Sequence, residues 1–120
     1  MMEAAEKLFC AAFIFSQHTN DDSFKLLDDE IAAAALASPG FAGKENWFSR
    51  DGTRINASYY WRSMEELQVF SRHPVHREAK RRYKEWYDGF HIVISEIVRS
   101  YGDGAFEHVT PNARARPPKP

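Results

Sequence analysis

The chain has a single cysteine among its 120 residues, and its formal net charge at pH 7 is only −1. One cysteine excludes an internal disulfide framework and a zinc site built from cysteines. The nearly balanced charge argues against nucleic acid or an anionic membrane surface as the main partner. Cys10 itself lies in an apolar run, where we expect a small buried side chain rather than a reactive thiol.

Long apolar runs are also missing, because no stretch approaches the roughly 20 residues that a membrane-spanning helix needs. The N-terminus carries Glu3 and Glu6 without a basic segment, which is not typical of a secretory signal. We therefore expect a cytoplasmic protein without a membrane partner. The sequence contains no phosphate-binding loop, dinucleotide-binding glycine motif, flavin site or serine or cysteine nucleophile motif, so we expect no cofactor.

What the chain does contain is enough apolar material for one packed domain, with 43% hydrophobic and 14% aromatic residues. We predict that this domain spans residues 1–103. Residues 104–120 are rich in proline and arginine and show no apolar periodicity, so they are predicted to be a disordered tail.

Hydrophobic periodicity and capping residues predict alternating strands and helices along the domain. The first strand is apolar on both alternating faces, which is typical of a buried strand. Asp51-Gly52 predicts a two-residue hairpin turn. The predicted elements are a strand at 7–15, a helix at 24–38, strands at 41–49 and 53–61, a helix at 63–73 with a second piece at 74–87, and a strand at 90–101.

This order predicts a ferredoxin-like βαββαβ fold of the α+β class, in which one antiparallel sheet carries both helices on one face. The face without helices would still present large aromatic and aliphatic residues. We therefore expect a homodimer in which two such sheets pack face to face.

The candidate catalytic base lies on the second helical piece. His76, Lys80, Tyr83 and Tyr87 follow one another at spacings of four, three and four, which places them on one helix face. If this face lines a pocket, His76 can accept a phenol proton near neutral pH, and Lys80 can stabilise an anionic intermediate. The alternative is that His76 packs at the helix start while Lys80 and Tyr83 face solvent.

The other candidate residues lie on the predicted strands and helix ends. Trp61 ends a strand and offers either a flat wall for stacking an aromatic substrate or ordinary core packing. Asn46 on the neighbouring strand either orients a ketone or hydroxyl group or faces solvent. The predicted catalytic residues are His76, Trp61 and Asn46, and the predicted substrate-binding residues are Tyr59, Phe70, Lys80, Tyr83 and Trp86. His73 and His76 flank Pro74 with no carboxylate beside both, so we expect no metal site.

Residues 7–101 resemble the antibiotic biosynthesis monooxygenase (ABM) superfamily of dimeric α+β barrel proteins. The resemblance rests on the order and spacing of several short pieces. They are Pro39-Gly40-Phe41 with Gly43, Tyr60-Trp61 with Ser63 and Glu65-Glu66, His73-Pro74 with His76, Trp86-Tyr87, and Glu96 through Tyr101. The resemblance implies a stand-alone member of a superfamily that includes cofactor-free oxygenases of aromatic polyketides and haem-degrading monooxygenases.

The haem-degrading branch uses a tryptophan and, ten residues later, a haem-ligating histidine. Aligned on Trp61, these positions hold Phe70 and Lys80 here, so the ligand imidazole is missing. The resemblance therefore favours a cofactor-independent monooxygenase, a tailoring enzyme of secondary metabolism. Its substrate would be a small electron-rich aromatic of polyketide, anthrone or hydroquinone type, which His76 deprotonates and dioxygen oxidises. The alternatives are an oxygen-independent cyclase, isomerase or dehydratase, and a non-catalytic module that binds a small molecule or haem.

Overall fold

The computed structural model describes residues 7–113. The elements in chain order are β1 (Phe9–Gln17), α1 (Asp22–Leu36), β2 (Phe41–Phe48), β3 (Arg54–Trp61), α2 (Met64–Ser71), α3 (Pro74–Arg82) and β4 (Tyr87–Glu96). The four strands form one antiparallel sheet in the order β2-β3-β1-β4. This topology confirms the predicted ferredoxin-like α+β fold. Within residues 7–113, none of the helices combines the length and apolar character needed to cross a membrane.

The helices begin where the sequence places capping residues. The Asp21 side chain accepts a hydrogen bond from the backbone N–H of Phe24 at 2.9 Å, which caps α1. Ser63 caps α2 in the same way. Pro74 occupies the first turn of α3, where a missing N–H costs nothing. These caps satisfy backbone donors that a helix leaves unpaired at its start, so local sequence is enough to start each helix.

The core lies between the helices and one face of the sheet. Ala35 of α1 and Leu67 and Phe70 of α2 pack against the β3 residues on this face. Trp61, the last residue of β3, has 0% of its surface exposed. Both α1 and α2 thus cover the same sheet face, as predicted, and α3 contacts α1 and α2 beside them.

The last strand lies several residues earlier than the sequence predicted. We expected a strand over 90–101 and a helix continuing to residue 87, but α3 ends at Arg82 and β4 spans Tyr87–Glu96. Gly89, just after the predicted helix, pairs with Ser16 inside the sheet. Because β1 begins at Phe9, β4 has no strand partner beyond Glu96 and ends there.

The turn between β2 and β3 is longer than the predicted two-residue hairpin. The Asp51 carboxylate accepts hydrogen bonds from the Ser49 hydroxyl at 2.7 Å and from the Thr53 N–H at 3.1 Å. Gly52 takes a φ of 76°, which suits a residue without a side chain. The Asp51 side chain therefore builds a wider loop over residues 49–53, because its own hydrogen bonds compete with the tight turn.

Residues 100–113, named here the C-terminal loop, contact the sheet face that lies away from the helices. His108 Nε2 lies 2.9 Å from Glu45 Oε1 of β2, and Val109 packs on Gly43. The loop also closes on itself, because the Ser100 hydroxyl donates to the Pro111 carbonyl at 2.6 Å. Residues 104–113 of the predicted disordered tail are therefore held by side-chain contacts that composition does not reveal. Residues 114–120 of that predicted tail lie outside the described residues.

Exposed apolar side chains are concentrated on β4, an edge strand of the sheet. Ile92 and Ile94 project from the helix side of the sheet and Val93 from the other side, and each is about half exposed. We expected the exposed apolar residues on the face without helices. Trp47 and Val93 are exposed on that face, as expected, but Ile92 and Ile94 are exposed on the helix side of β4 as well.

Candidate functional site

Four of the predicted site residues meet between the helices and the sheet. Phe70 of α2 lies at the centre, with its ring centroid 4.8 Å from Trp61, 5.7 Å from Tyr59 and 4.3 Å from His76. Tyr59 and Trp61 share one face of β3, and His76 lies in the first turn of α3. We name Tyr59, Trp61, Phe70 and His76 the aromatic–histidine cluster. Strand alternation thus places Tyr59 and Trp61 on the same face of the sheet, and the start of α3 at Pro74 brings His76 into contact with Phe70.

The imidazole of His76 is neutral at physiological pH. Burial lowers the pKa of His76 from 6.5 to about 4, and the electrostatic effects of Lys80 and His73 add to this shift. A hydrogen bond with the Phe70 backbone raises the pKa but does not offset the other causes. Its Nδ1 atom is buried and has no hydrogen-bond partner among the described residues. A neutral imidazole with an unpaired nitrogen is a group that can accept a proton from a bound molecule.

A second unpaired polar atom lies in the same cluster. The indole Nε1 of Trp61 is fully buried and has no hydrogen-bond partner among residues 7–113. A buried polar group without a partner costs about 1–3 kcal/mol. Both atoms belong to residues whose rings contact Phe70, and a polar ligand reaching them would supply the partners that native structures normally provide.

Lys80 lies close enough to His76 to influence its charge. The ammonium group is exposed and its Nζ atom lies 3.4 Å from the backbone carbonyl of Ser71, at the end of α2. Its positive charge is the second-largest cause of the lowered His76 pKa. Both residues belong to α3, and the charge of Lys80 adds to the larger effect of burial on the His76 pKa.

The structure places the three remaining predicted residues away from the cluster. Asn46 is exposed on β2. The ring of Tyr83 packs against Phe90 of β4, with centroids 5.1 Å apart. Trp86 is buried beside α1, where its Nε1 donates to the Ser23 hydroxyl at 3.3 Å. Tyr83 and Trp86 both follow the end of α3 at Arg82, so the helical spacing that grouped Tyr83 with His76 does not extend to Tyr83.

Lys44, a half-buried residue of β2, contacts the cluster although it is not among the predicted site residues. Its Nζ atom lies 5.0 Å from the centroid of the Tyr59 ring. Burial raises the pKa of Tyr59, and the charge of Lys44 opposes this effect. Asp28 of α1 acts on the same region, because its charge raises the pKa of both Tyr59 and Tyr87. Alternation along β2 places Lys44 on the same face as Asn46, but its pairing with Tyr59 follows from the register between β2 and β3.

Two open cavities lie elsewhere in the molecule. One of about 740 Å³ is formed mainly by the C-terminal loop, and its lining includes Tyr101, Phe106 and His108. The other, of about 230 Å³, lies where β1 meets β4 and includes His91. Neither is lined by the aromatic–histidine cluster. Among residues 7–113, no three His, Cys, Asp or Glu side chains come together as a group able to hold a metal ion.

Residues 17–96 match the model of the monooxygenase af470-like family. The chain belongs to this family. The uncharacterized protein YqjZ of Bacillus subtilis (strain 168) is 30% identical to it over 91 residues, which cover 73% of this chain and 79% of YqjZ. The matched segment of the monooxygenase af470-like protein contains all of β2, β3, α2, α3 and β4, and therefore the whole aromatic–histidine cluster.

Solved structures share the fold of this monooxygenase af470-like protein. SnoaB, a cofactor-independent oxygenase from Streptomyces nogalater, superposes with a TM-score of 0.64 at 12% identity, covering 80% of this chain and 97% of its own. A DABB family protein with a ferredoxin-like fold from Mesorhizobium loti superposes with a TM-score of 0.56 at 14% identity, covering 74% of this chain and 95% of its own. At these identities the likeness shows the fold alone. Together with the family match, it confirms the predicted membership of the ABM superfamily.

Proposed function

We propose that this monooxygenase-like protein is a cofactor-independent monooxygenase of a small electron-rich aromatic molecule of anthrone, hydroquinone or polyketide phenol type. The observation that carries the proposal is the neutral His76 imidazole, whose buried Nδ1 atom is unpaired and whose ring packs against Phe70. Family membership and the shared fold with the cofactor-independent oxygenase SnoaB support it. The same residues provide a base and an apolar environment, which are the two requirements of a reaction in which the substrate supplies its own electrons.

His76 acts as the proton acceptor in this proposal. Its low pKa, about 4, makes the ligand-free imidazole a weak base, but an anion that forms beside the new imidazolium raises that pKa. Proton transfer is therefore favoured only when a substrate of sufficient acidity lies in the site. This selects activated C–H and phenolic O–H groups over ordinary alcohols.

The oxidation balances without any added reductant. His76 removes a proton from the reactive CH₂ or phenol of the substrate, and the resulting anion transfers one electron to dioxygen. The radical and superoxide combine to form a C–O bond, and the peroxide takes the proton back from His76. Loss of a second substrate proton with cleavage of the O–O bond releases water and leaves a carbonyl group. Overall, CH₂ and O₂ become C=O and H₂O.

The aromatic residues of the cluster exclude water and surround the ring of the substrate. Trp61 is fully buried behind Phe70, so it is a wall of the core rather than a free stacking surface. The side chains of α3 are all at least partly exposed, so this helix is the least tightly packed of the elements around the aromatic–histidine cluster. We propose that α3 moves away from α2 when a substrate binds next to Phe70 and His76. The exposed Asn46 has no role in this proposal.

Oxygen uptake tests the proposal directly. Pure protein, checked for metal and flavin content, is given a panel of anthrones and dihydroxynaphthalenes. We expect uptake with quinone formation, and a loss of about 10²–10⁴-fold in His76→Leu, the range attributed to a general base. The matched control is His91→Leu, an exposed histidine of β4 that we expect to retain full activity. Full uptake in His76→Leu would contradict the assignment of the base.

The same assay separates the alternatives. Turnover under strictly anaerobic conditions, still dependent on His76, would replace the monooxygenase by an oxygen-independent cyclase, isomerase or dehydratase. Binding of the panel without turnover in any condition, unaffected by His76→Leu, would indicate a non-catalytic binding module. Each result excludes the proposed oxidation.

We also propose that two copies of the chain associate through β4. Its free edge and its exposed Ile92, Val93 and Ile94 form the type of apolar edge that proteins seldom leave open. Light scattering after size exclusion tests this proposal. We expect a dimer that Ile92→Glu converts to a monomer and that Val69→Glu, at an exposed position of α2, does not affect. A monomeric unmodified protein would contradict it.

A further inference from the structure

We propose that Lys44 determines substrate specificity by binding an anionic oxygen, so that the ligand of this site is an acidic aromatic molecule. The inference concerns the same site as the proposed function and rests on it for the location of the ligand. It adds the charge of the ligand and the residue that recognises this charge.

The position of Lys44 supports a role inside the helix–sheet layer rather than in solvent. Strand pairing sets Lys44 opposite Tyr59, and directly opposed residues of an antiparallel pair point to the same face. That face carries the aromatic–histidine cluster and is covered by α1 and α2. The Nζ atom lies 5.0 Å from the Tyr59 ring centroid, and the residue is half-buried.

The ammonium group of Lys44 has no carboxylate partner among the described residues. Asp28 is the acidic residue whose charge acts on Tyr59, yet no Asp or Glu oxygen of the described chain lies within ion-pair distance of Lys44. Its protein contact is the side chain of Tyr59, through a hydrogen bond and the ring face, and the ring contact typically contributes about 0.5–1 kcal/mol at partly exposed sites. A charge-assisted hydrogen bond to an anion is stronger, so a ligand anion can improve on this contact.

Tyr59 supplies a second hydrogen-bond donor beside Lys44. Burial raises the pKa of the Tyr59 phenol, so its hydroxyl remains protonated at neutral pH and can donate. An ammonium group and a phenol hydroxyl are both donors, and a carboxylate or phenolate oxygen accepts from both. Lys44 can donate to the Tyr59 oxygen, but its remaining N–H groups and the Tyr59 hydroxyl proton would find no acceptor on a neutral apolar ring, so the pair favours an anionic ligand.

The arrangement also indicates how such a ligand is oriented. Tyr59 and Phe70 separate Lys44 from His76, with ring centroids 5.7 Å apart between Tyr59 and Phe70 and 4.3 Å apart between Phe70 and His76. The anionic group therefore lies at one end of the aromatic system, and the proton that His76 removes lies at the other. The reaction that supplies this substrate must leave a carboxylate or an ionisable phenol on an aromatic framework.

A pair of probes that differ only in charge tests this inference. The dissociation constants of 2-naphthoate and 2-naphthamide are measured by calorimetry at pH 7.5, under nitrogen, with the full chain. We expect the unmodified protein to bind the anion about fivefold to thirtyfold more tightly, corresponding to one charge-assisted contact. Lys44→Met, which keeps the apolar stem, should reduce this ratio to about one, whereas Lys44→Arg should preserve it.

Lys84→Met is the matched control, because Lys84 also lies over a tyrosine ring, with its Nζ atom 6.0 Å from the Tyr83 centroid, but outside the cluster. It should keep the full preference for the anion. Equal affinities of the unmodified protein for both probes, an unchanged ratio in Lys44→Met, or no binding of either probe would each overturn the inference. Circular dichroism of each variant confirms that the fold is retained.

The binding assay tests the role of Lys44 and the oxygen assay tests the monooxygenase, so a negative result in one does not decide the other. Charge preference that depends on Lys44, without oxygen uptake, would retain the anionic ligand and remove the monooxygenase. Uptake with neutral anthrones that Lys44→Met leaves unchanged would retain the monooxygenase and remove the role of Lys44.

Discussion

The imidazole of His76 stands edge-on against the ring of Phe70, with centroids 4.3 Å apart and an interplanar angle of 79°. This contact joins the first turn of α3 to the last turn of α2 across the Pro74 break. It also explains the chemistry of the site, because an apolar ring against the imidazole removes water that would otherwise stabilise the charged form. The pair therefore links the stability of the fold to pH.

Acidification should destabilise the protein through His76. Because its folded pKa, about 4, lies below the unfolded value of 6.5, its contribution is complete above pH 6.5 and is lost as pH falls toward 4. The loss between pH 7.5 and pH 5 should be about 2 kcal/mol, measured as the free energy of unfolding in urea. His76→Leu should remove this part of the pH dependence, and an unchanged slope in that variant would contradict the prediction.

Phe70 should be among the most costly residues to truncate. It is 4% exposed and contacts Tyr59, Trp61 and His76, so Phe70→Ala leaves a cavity at the centre of the cluster. We expect a loss of about 3–5 kcal/mol in the free energy of unfolding. Val69→Ala, at the neighbouring exposed position, should cost far less. Similar losses in the two variants would show that Phe70 is not part of the core.

The C-terminal loop should open when His108 is removed. His108 donates to Glu45, and the backbone N–H of Ala113 reports on the loop through its 2.9 Å hydrogen bond to the Ser100 carbonyl. In His108→Ala, amide exchange at Ala113 should accelerate by about tenfold, because local opening depends on a few contacts. The free energy of unfolding should change by only about 1 kcal/mol or less, as expected for a partly exposed pair.

Glu107→Ala, at the exposed neighbouring position, is the control for this experiment and should leave exchange unchanged. Low pH should act like the His108 variant. Burial alone would raise the pKa of Glu45, but hydrogen bonds from Tyr60 and the contact with His108 outweigh it, so this pKa lies below 4.5. The contribution of Glu45 is therefore present above pH 4.5 and lost as pH falls through its folded pKa. A protection factor at Ala113, corrected for the intrinsic exchange rate, that does not fall at low pH would contradict this account.

Gly43 should tolerate no side chain while Val109 is present. Its φ is 150°, and a Cβ atom built there would lie 2.7 Å from Val109 Cγ1. Gly43→Ala should lower the free energy of unfolding by about 1–3 kcal/mol, from the strained backbone and the overlap together. Adding Val109→Ala should recover the part due to overlap only. Complete recovery would show that backbone strain contributes nothing, and no recovery would show that overlap with Val109 contributes nothing.

The order of elements was predictable from the sequence because the signals are local. The Asp21 and Ser63 caps, the break at Pro74 and the alternation along β3 each act over a few residues. The bounds of β4 were not predictable in the same way. Tyr87 joins the sheet because Gln17 is its partner, and the strand ends where β1 begins, so both limits depend on residues that are distant in sequence.

The candidate site was likewise predictable where local sequence sets it and not where distant residues do. Strand alternation correctly placed Tyr59 and Trp61 on one face, and both His76 and Lys80 belong to α3. Helical spacing also grouped Tyr83 and Tyr87 with His76, but α3 ends at Arg82, before both of them. The contact of Lys44 with Tyr59 depends on the register between β2 and β3, which a single strand pattern does not determine.

The sequence by itself determined the fold class, the starts of the helices and the chemical types available to the site, since these follow from local propensity and alternation. Only the tertiary structure decided which of those residues meet, how far His76 is buried, and that the C-terminal loop is held against β2. Burial and long-range contacts depend on which elements pack together. The pKa of His76 and the position of His108 beside Glu45 are therefore properties of the folded chain alone.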